Sequence, residues 1–164
     1  MKKLILFLLC ATMLLSFVAC SDAEETDNSF ASIRIGNTAV PIDGEAAAIL
    51  ASLGEAKSYD ESPSCAFEGM DKIYVYNGFR IQTYTLSGKD YVRSVELLDD
   101  TYATPEGVTI GSALETVTAA YGTPTKQTET GLQYVNSELD ITLQFLIRDG
   151  KVINVQYFKN VSES

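Results

Sequence analysis

Hydrophobic and polar positions divide this chain into three stretches of different character. Leu4 to Leu15 is a nearly unbroken apolar run. Ser21 to Ser32 (SDAEETDNSFAS) is small, polar and acidic. From Ile33 onward two periodicities alternate. Ala46, Ile49, Leu50 and Leu53 recur at helical spacing, as do Leu114, Val117 and Tyr121, and each set predicts a short amphipathic helix. Leu139, Ile141, Leu143 and Phe145 alternate with polar partners, the pattern of a strand with one buried face. Strands are expected over 72–77, 79–86 and 91–98 after the first helix, and over 132–135, 139–147 and 151–158 after the second. The dipeptides Asn77-Gly78, Ser87-Gly88 and Asp149-Gly150 supply turns between these runs.

The two helical segments overlay at a constant offset. In AVPIDGEAAAILASLGEAK (39–57) and GVTIGSALETVTAAYGTPT (107–125), Val40 falls on Val108, Ile42 on Ile110, Ile49 on Val117 and Gly54 on Gly122. The strand tails DYVRSVELLDD (90–100) and GKVINVQYFKN (150–160) also match. Ser112 with Glu115 reads as a capping box on the second helix, Asp43 as a cap on the first, and Gly54 and Gly122 as left-handed stops. The expectation is an α+β fold of two tandem repeats, each a helix plus an antiparallel three-stranded meander, with the helices packed on one sheet face. The halves span about 33–100 and 105–160 within one domain, 33–160.

Ahead of that domain, Met1-Lys2-Lys3 and the apolar run form a signal-peptide pattern, too short for a bilayer core that needs about 20 residues. The chain then reads Phe17-Val18-Ala19-Cys20. This resembles the lipobox of bacterial lipoproteins, with Phe17 where Leu is usual. The resemblance implies removal of residues 1–19, lipidation of Cys20, and a protein on the extracytoplasmic side of the cell membrane. Two acyl chains give stable attachment where one gives marginal binding. Plain secretion, with cleavage after Ala23, and an uncleaved signal anchor are the alternatives. Residues 20–32 then act as an acidic flexible tether.

Charge and residue usage narrow the chemistry. Loss of Lys2 and Lys3 with the signal leaves 10 basic residues against 22 acidic ones, a net charge of about −12. So acidic a surface repels phosphate backbones, and nucleic acid is not an expected partner. The chain has no histidine, and Cys65 is the one thiol left once Cys10 leaves with the signal and Cys20 is acylated. The common zinc, haem and histidine-based triad sites cannot be assembled from this inventory. No cofactor, metal or catalytic residue is expected.

Element order, together with Ile110-Gly111 and Tyr121-Gly122 around the second helix, resembles the tandem-repeat fold of the β-lactamase inhibitory protein family. It also resembles small outer-membrane assembly lipoproteins sharing a related half. That resemblance implies a sheet with one face under helices and the other free to bind protein. The blocks Ser64 to Tyr76 (SCAFEGMDKIYVY) and Thr104 to Gly111 (TPEGVTIG) are similar to those of lipoproteins from gut Clostridia-type bacteria.

The halves differ at Tyr59 to Asp71 (YDESPSCAFEGMD), an apparent insertion in the first. Three readings are open for it: a plug in which Cys65, Phe67 and Met70 tuck under the sheet, a recognition loop, or a reactive thiol. The surrounding Asp60, Glu61, Glu68 and Asp71 would raise a thiol pKa and disfavour the last. Tyrosine offers large contact area with a polar tip, so Phe67, Tyr74, Tyr76 and Tyr84 form the candidate binding surface. The expected function is a non-enzymatic module binding an envelope or secreted protein or peptide. An inhibitor of an extracytoplasmic enzyme, or a glycan hydrolase using carboxylates alone, are the other readings.

Overall fold

A computed structural model describes residues 30–65 and 69–160. The signal, Cys20, most of the tether and Phe67 lie outside the described residues. The chain order is β1 (Ser32–Ile35), β2 (Thr38–Pro41), α1 (Ala46–Leu53), β3 (Ser58–Pro63), β4 (Met70–Val75), β5 (Phe79–Leu86) and β6 (Lys89–Leu97). Then follow α2 (Leu114–Tyr121), β7 (Lys126–Gln127), β8 (Gly131–Asn136), β9 (Ile141–Arg148) and β10 (Lys151–Lys159). The fold is α+β: two short helices, a two-stranded hairpin β1–β2, and an eight-stranded antiparallel sheet ordered β3-β4-β5-β6-β10-β9-β8-β7.

Alternation along each strand sends one set of side chains into a single core. Ile81, Val95, Tyr157, Leu143 and Tyr134 form one buried row across β5, β6, β10, β9 and β8; Phe79, Leu97, Val155, Phe145 and Leu132 form the next. Over these rows lie Ile33, Ile35 and Val40 of the hairpin, Ala46 of α1, Val108, and Val117 of α2. Both helices therefore bury their apolar stripes against the same side of the sheet. Two hairpins close through Ser87-Gly88 and Asp149-Gly150, where all four residues have positive φ, as the two-residue turns matching strand twist require.

The halves meet at one ladder, β6 against β10, where Glu96 lies opposite Gln156. Register shifts bypass Arg93 in β6 and Ile153 in β10, so each central strand carries one extra residue at an equivalent position. Beyond the shared ladder, the Val92 carbonyl accepts from Asp43 N at 2.7 Å and Val92 N donates to the Gly44 carbonyl at 2.9 Å. The Val152 carbonyl likewise accepts from Gly111 N at 2.8 Å, and Val152 N donates to Ser112 at 2.9 Å. Each segment entering a helix thus pairs with the free half of its own central strand.

Several expectations change. Each helix is followed by four strands, not a three-stranded meander. The apparent insertion is largely strand: β3 is an edge strand of six residues where the opposite edge, β7, has two. All of β3 and Cys65 are exposed, so Cys65 does not tuck under the sheet; Met70 is half-buried, and Phe67 lies outside the described residues. Phe30, assigned to the tether, packs on Tyr121 and Tyr134, with ring centroids 5.7 and 6.1 Å away.

The expected caps are absent as well. The residues preceding the helices are Glu45 and Ala113, neither with a side-chain capping bond. Asp43 sits at φ 67° and serves another role, and the Ser112 hydroxyl accepts from Thr109 N at 3.0 Å. The stops, by contrast, are glycines in a conformation open to little else: Gly54 at φ 81°, ψ −158° and Gly122 at φ 71°, ψ −143°. A Cβ at Gly122 would meet no atom within 4 Å, so a side chain there costs backbone strain rather than collision. Gly122→Val should destabilise the domain by about 1–2 kcal/mol in chemical denaturation, with the fold intact by circular dichroism.

Candidate functional site

The tyrosines chosen from the sequence do not make a common exposed patch. Tyr76, just past the end of β4, is 7% exposed and stacks on Phe79 with centroids 4.7 Å apart. Tyr84 is 5% exposed, and its hydroxyl donates to Asp43 Oδ1 at 2.5 Å. Tyr74 is half-buried against the core. Tyr76 and Tyr84 thus lose the free ring that a contact residue needs, while Tyr74 keeps part of its ring exposed. Burial raises the pKa of Tyr74 and Tyr76 above the usual phenol value, and burial with the bond to the Asp43 carboxylate does the same for Tyr84. The exposed ring of this region is Tyr59 on β3, 5.0 Å from Tyr74 and donating its hydroxyl to the Glu61 carboxylate. That bond, more than burial, raises the Tyr59 pKa.

Asp43 is the joint behind this arrangement. Besides accepting from Tyr84 it pairs with Lys159 Nζ at 3.0 Å, joining the approach to α1, strand β5 and the end of β10. A backbone at positive φ is tolerated by aspartate and puts the carboxylate where both partners reach it.

The chemistry gathers instead on the sheet face opposite the helices. One row crosses six strands as Arg80, Glu96, Gln156, Gln144, Gln133 and Lys126. A second runs Gln82, Ser94, Phe158 and Thr142. These side chains bond to one another along the rows. Arg80 donates to Glu96 Oε2, Asn154 Nδ2 donates to Glu96 Oε1 at 2.7 Å, and Gln133 Nε2 donates to Gln144 Oε1 at 2.7 Å. Glu96 and Asp71, the acids turned this way near the centre, are held by Arg80 and Arg93, the latter at 3.4 Å. The face is a carpet of amides with balanced charge in a chain of net charge −10.

Two cavities open on this face. One, of about 370 Å³, is bordered by Gln82, Arg93, Ser94, Gln144, Phe158 and Lys159. The other, of about 400 Å³, is bordered by Glu129, Leu146, Ile147 and Ile153. Arg93 and Ile153 are the two bulge residues, so the same backbone device turns an arginine toward one corner and an isoleucine toward the other.

Apart from Asp71, none of these residues was singled out in the sequence. Their signal was the polar half of each strand's alternation, visible as Gln82, Gln133, Gln144 and Gln156. Which strand lies beside which is needed to bring them into rows. Compared with protein-family models, curated proteins and solved structures, the chain matches none. Among the described residues, no cluster of three or more cysteines and carboxylates is placed to hold a metal ion.

Since Tyr84 is a strut, Tyr84→Phe should lower stability by about 2 kcal/mol through loss of a bond to a carboxylate. The loss should be read in denaturant melts, and binding by the folded variant should be unchanged.

Proposed function

We propose that this chain is a lipid-anchored extracytoplasmic lipoprotein whose uncovered sheet face binds a protein or peptide without catalysing a reaction. One observation carries the binding reading. A face eight strands wide stays clear of the helices and hairpin, and presents half-buried amides and paired charges interspersed with Phe158 and the half-buried aliphatic side chains of Ile73, Val75, Val135 and Leu146. Amide side chains both donate and accept, which suits a polypeptide's alternating groups. A polar face with few apolar anchors stays soluble when empty and fits a non-obligate interface. The carboxylates near its centre are committed to arginines, which argues against using them as an acid and base pair.

We also infer that the domain arose from two copies of one unit, each a helix followed by four strands. The support is the repeated offset of helices and glycine stops, the equivalent bulges at Arg93 and Ile153, and the matching backbone pairs at Val92 and Val152. That arrangement is the one the inhibitory-protein resemblance implies, with four strands per half in place of three. It favours a second reading, in which the bound partner is an extracytoplasmic enzyme and the effect is inhibition.

Anchorage rests on the Phe17-Val18-Ala19-Cys20 sequence, and among the described residues no helix is long and apolar enough to cross a membrane. Radiolabelled palmitate should enter the wild-type chain and not Cys20→Ala, which should be released from membranes. Label retained by the variant overturns the anchor.

Partner binding is tested by capture from envelope extract with the full chain. Gln156→Arg, at the centre of the open face, should abolish capture, while Thr116→Arg on the exposed side of α2 should leave it unchanged. The opposite pattern transfers the interface to the helical side.

A further inference from the structure

The cavity beside Arg93 has cations but no carboxylate in its lining, the acids paired with them standing just outside it. Of the chain's charged side chains 22 are acidic and 12 basic, yet the lining of this cavity includes Arg93 and Lys159 and no carboxylate. The acids that pair with these cations, Asp71 and Asp43, are not among its lining residues. Around them stand Gln82, Ser94, Gln144 and the ring of Phe158. The guanidinium reaches this place because the bulge in β6 turns Arg93 toward Ser94 on the open face; without the extra residue, alternation would send it to the opposite side.

We propose that this cavity is a carboxylate-binding subsite, occupied by an aspartate or glutamate side chain of the polypeptide that lies across the sheet. Arginine offers a planar fork of donors matching the two oxygens of a carboxylate, while the Lys159 ammonium is engaged by Asp43 at 3.0 Å and the Leu139 carbonyl at 2.9 Å and borders the site without leading it. The glutamine amides and the Ser94 hydroxyl supply further donors, and Phe158 gives the methylene stem of the incoming side chain an apolar wall. A volume of about 370 Å³ admits such a side chain with its neighbouring peptide groups. The equivalent corner of the second half has Ile153 at the bulge with Leu146 and Ile147 beside it, but Glu129, Arg148 and Asp149 line it too, so it joins an apolar wall to charges of both signs. Similar backbone with different side chains thus makes the two corners chemically unlike, the first without a lining carboxylate and the second with two.

The inference rests on the open face being the binding surface, and the test separates the two. The full isotopically labelled chain is titrated in NMR with an end-blocked glycyl-glutamyl-glycine, with its glutamine counterpart, and with inorganic phosphate. The expected result is shift changes at Gln82, Arg93, Ser94 and Gln144, with the glutamate peptide binding at least tenfold more tightly than the glutamine one. Arg93→Gln, folded by its unchanged spectrum elsewhere, should reduce the glutamate peptide to the level of the glutamine peptide. Gln144→Leu, which leaves both cations in place, should weaken it severalfold. Equal binding of the two peptides, no shift at the cavity, or phosphate binding as tightly as the glutamate peptide would overturn the carboxylate assignment. Capture through the open face that survives Arg93→Gln undiminished removes this subsite and leaves the protein-binding reading intact. Peptide binding that persists while capture is insensitive to Gln156→Arg does the reverse.

Discussion

Everything in this molecule depends on one ladder, four residue pairs between β6 and β10. Among the described residues it is the one strand pairing between the two four-stranded runs, and it is staggered, so each central strand has a length that pairs with no strand of the other run. Backbone groups left unpaired under a core are costly, and here Val92 and Val152 are both buried. The segments entering the helices satisfy them. That pairing pins the start of each helix to the central strand of its own half and sets both helices on the same side. The helices can then be short and lack side-chain caps, because their position is secured by sheet hydrogen bonds and by Ala46 and Val117 in the core.

With one side of the sheet closed over apolar rows, the other inherits every alternate position. Along its central row the side chains are long and polar, and several are bonded to one another, which holds them in place. The bulges do more than adjust twist. Each breaks alternation once, so Arg93 stands on the open face within the first half and Ile153 within the second. The same backbone device thus places chemically different residues at one equivalent position in each run of four strands.

The long edge strand β3 shows how a sheet of this width avoids continuing into a neighbour. Asp60, Glu61 and Pro63 place charge and a missing donor along an exposed edge, while β7 protects the other by being two residues long. The segment that reads as an insertion is therefore mostly an extension of the sheet. In sequence it looks like a loop because SYDESP lacks the apolar alternation of a half-buried strand, and an edge strand exposed throughout has no reason to show it.

Local chemistry was legible along the chain wherever one segment carried its own signal. The helical stripes around Ile49 and Val117, the glycines ending them, the two positive-φ hairpins and six of the strands could be read from spacing, because periodicity and turn geometry are short-range properties. The constant offset between the helices could be read too. Tertiary structure alone decided the rest. Asp43 and Ser112 look like caps, yet the pairing of their backbones with Val92 and Val152 leaves the helices to begin later. Tyr76 and Tyr84 look like contact residues, yet Tyr76 joins the core cluster, and Tyr84, outside that cluster, is covered and tied down by Asp43. The glutamine rows and the Arg93 corner are assembled from strands far apart in sequence, and register across β6 and β10 is a long-range choice that no single segment encodes.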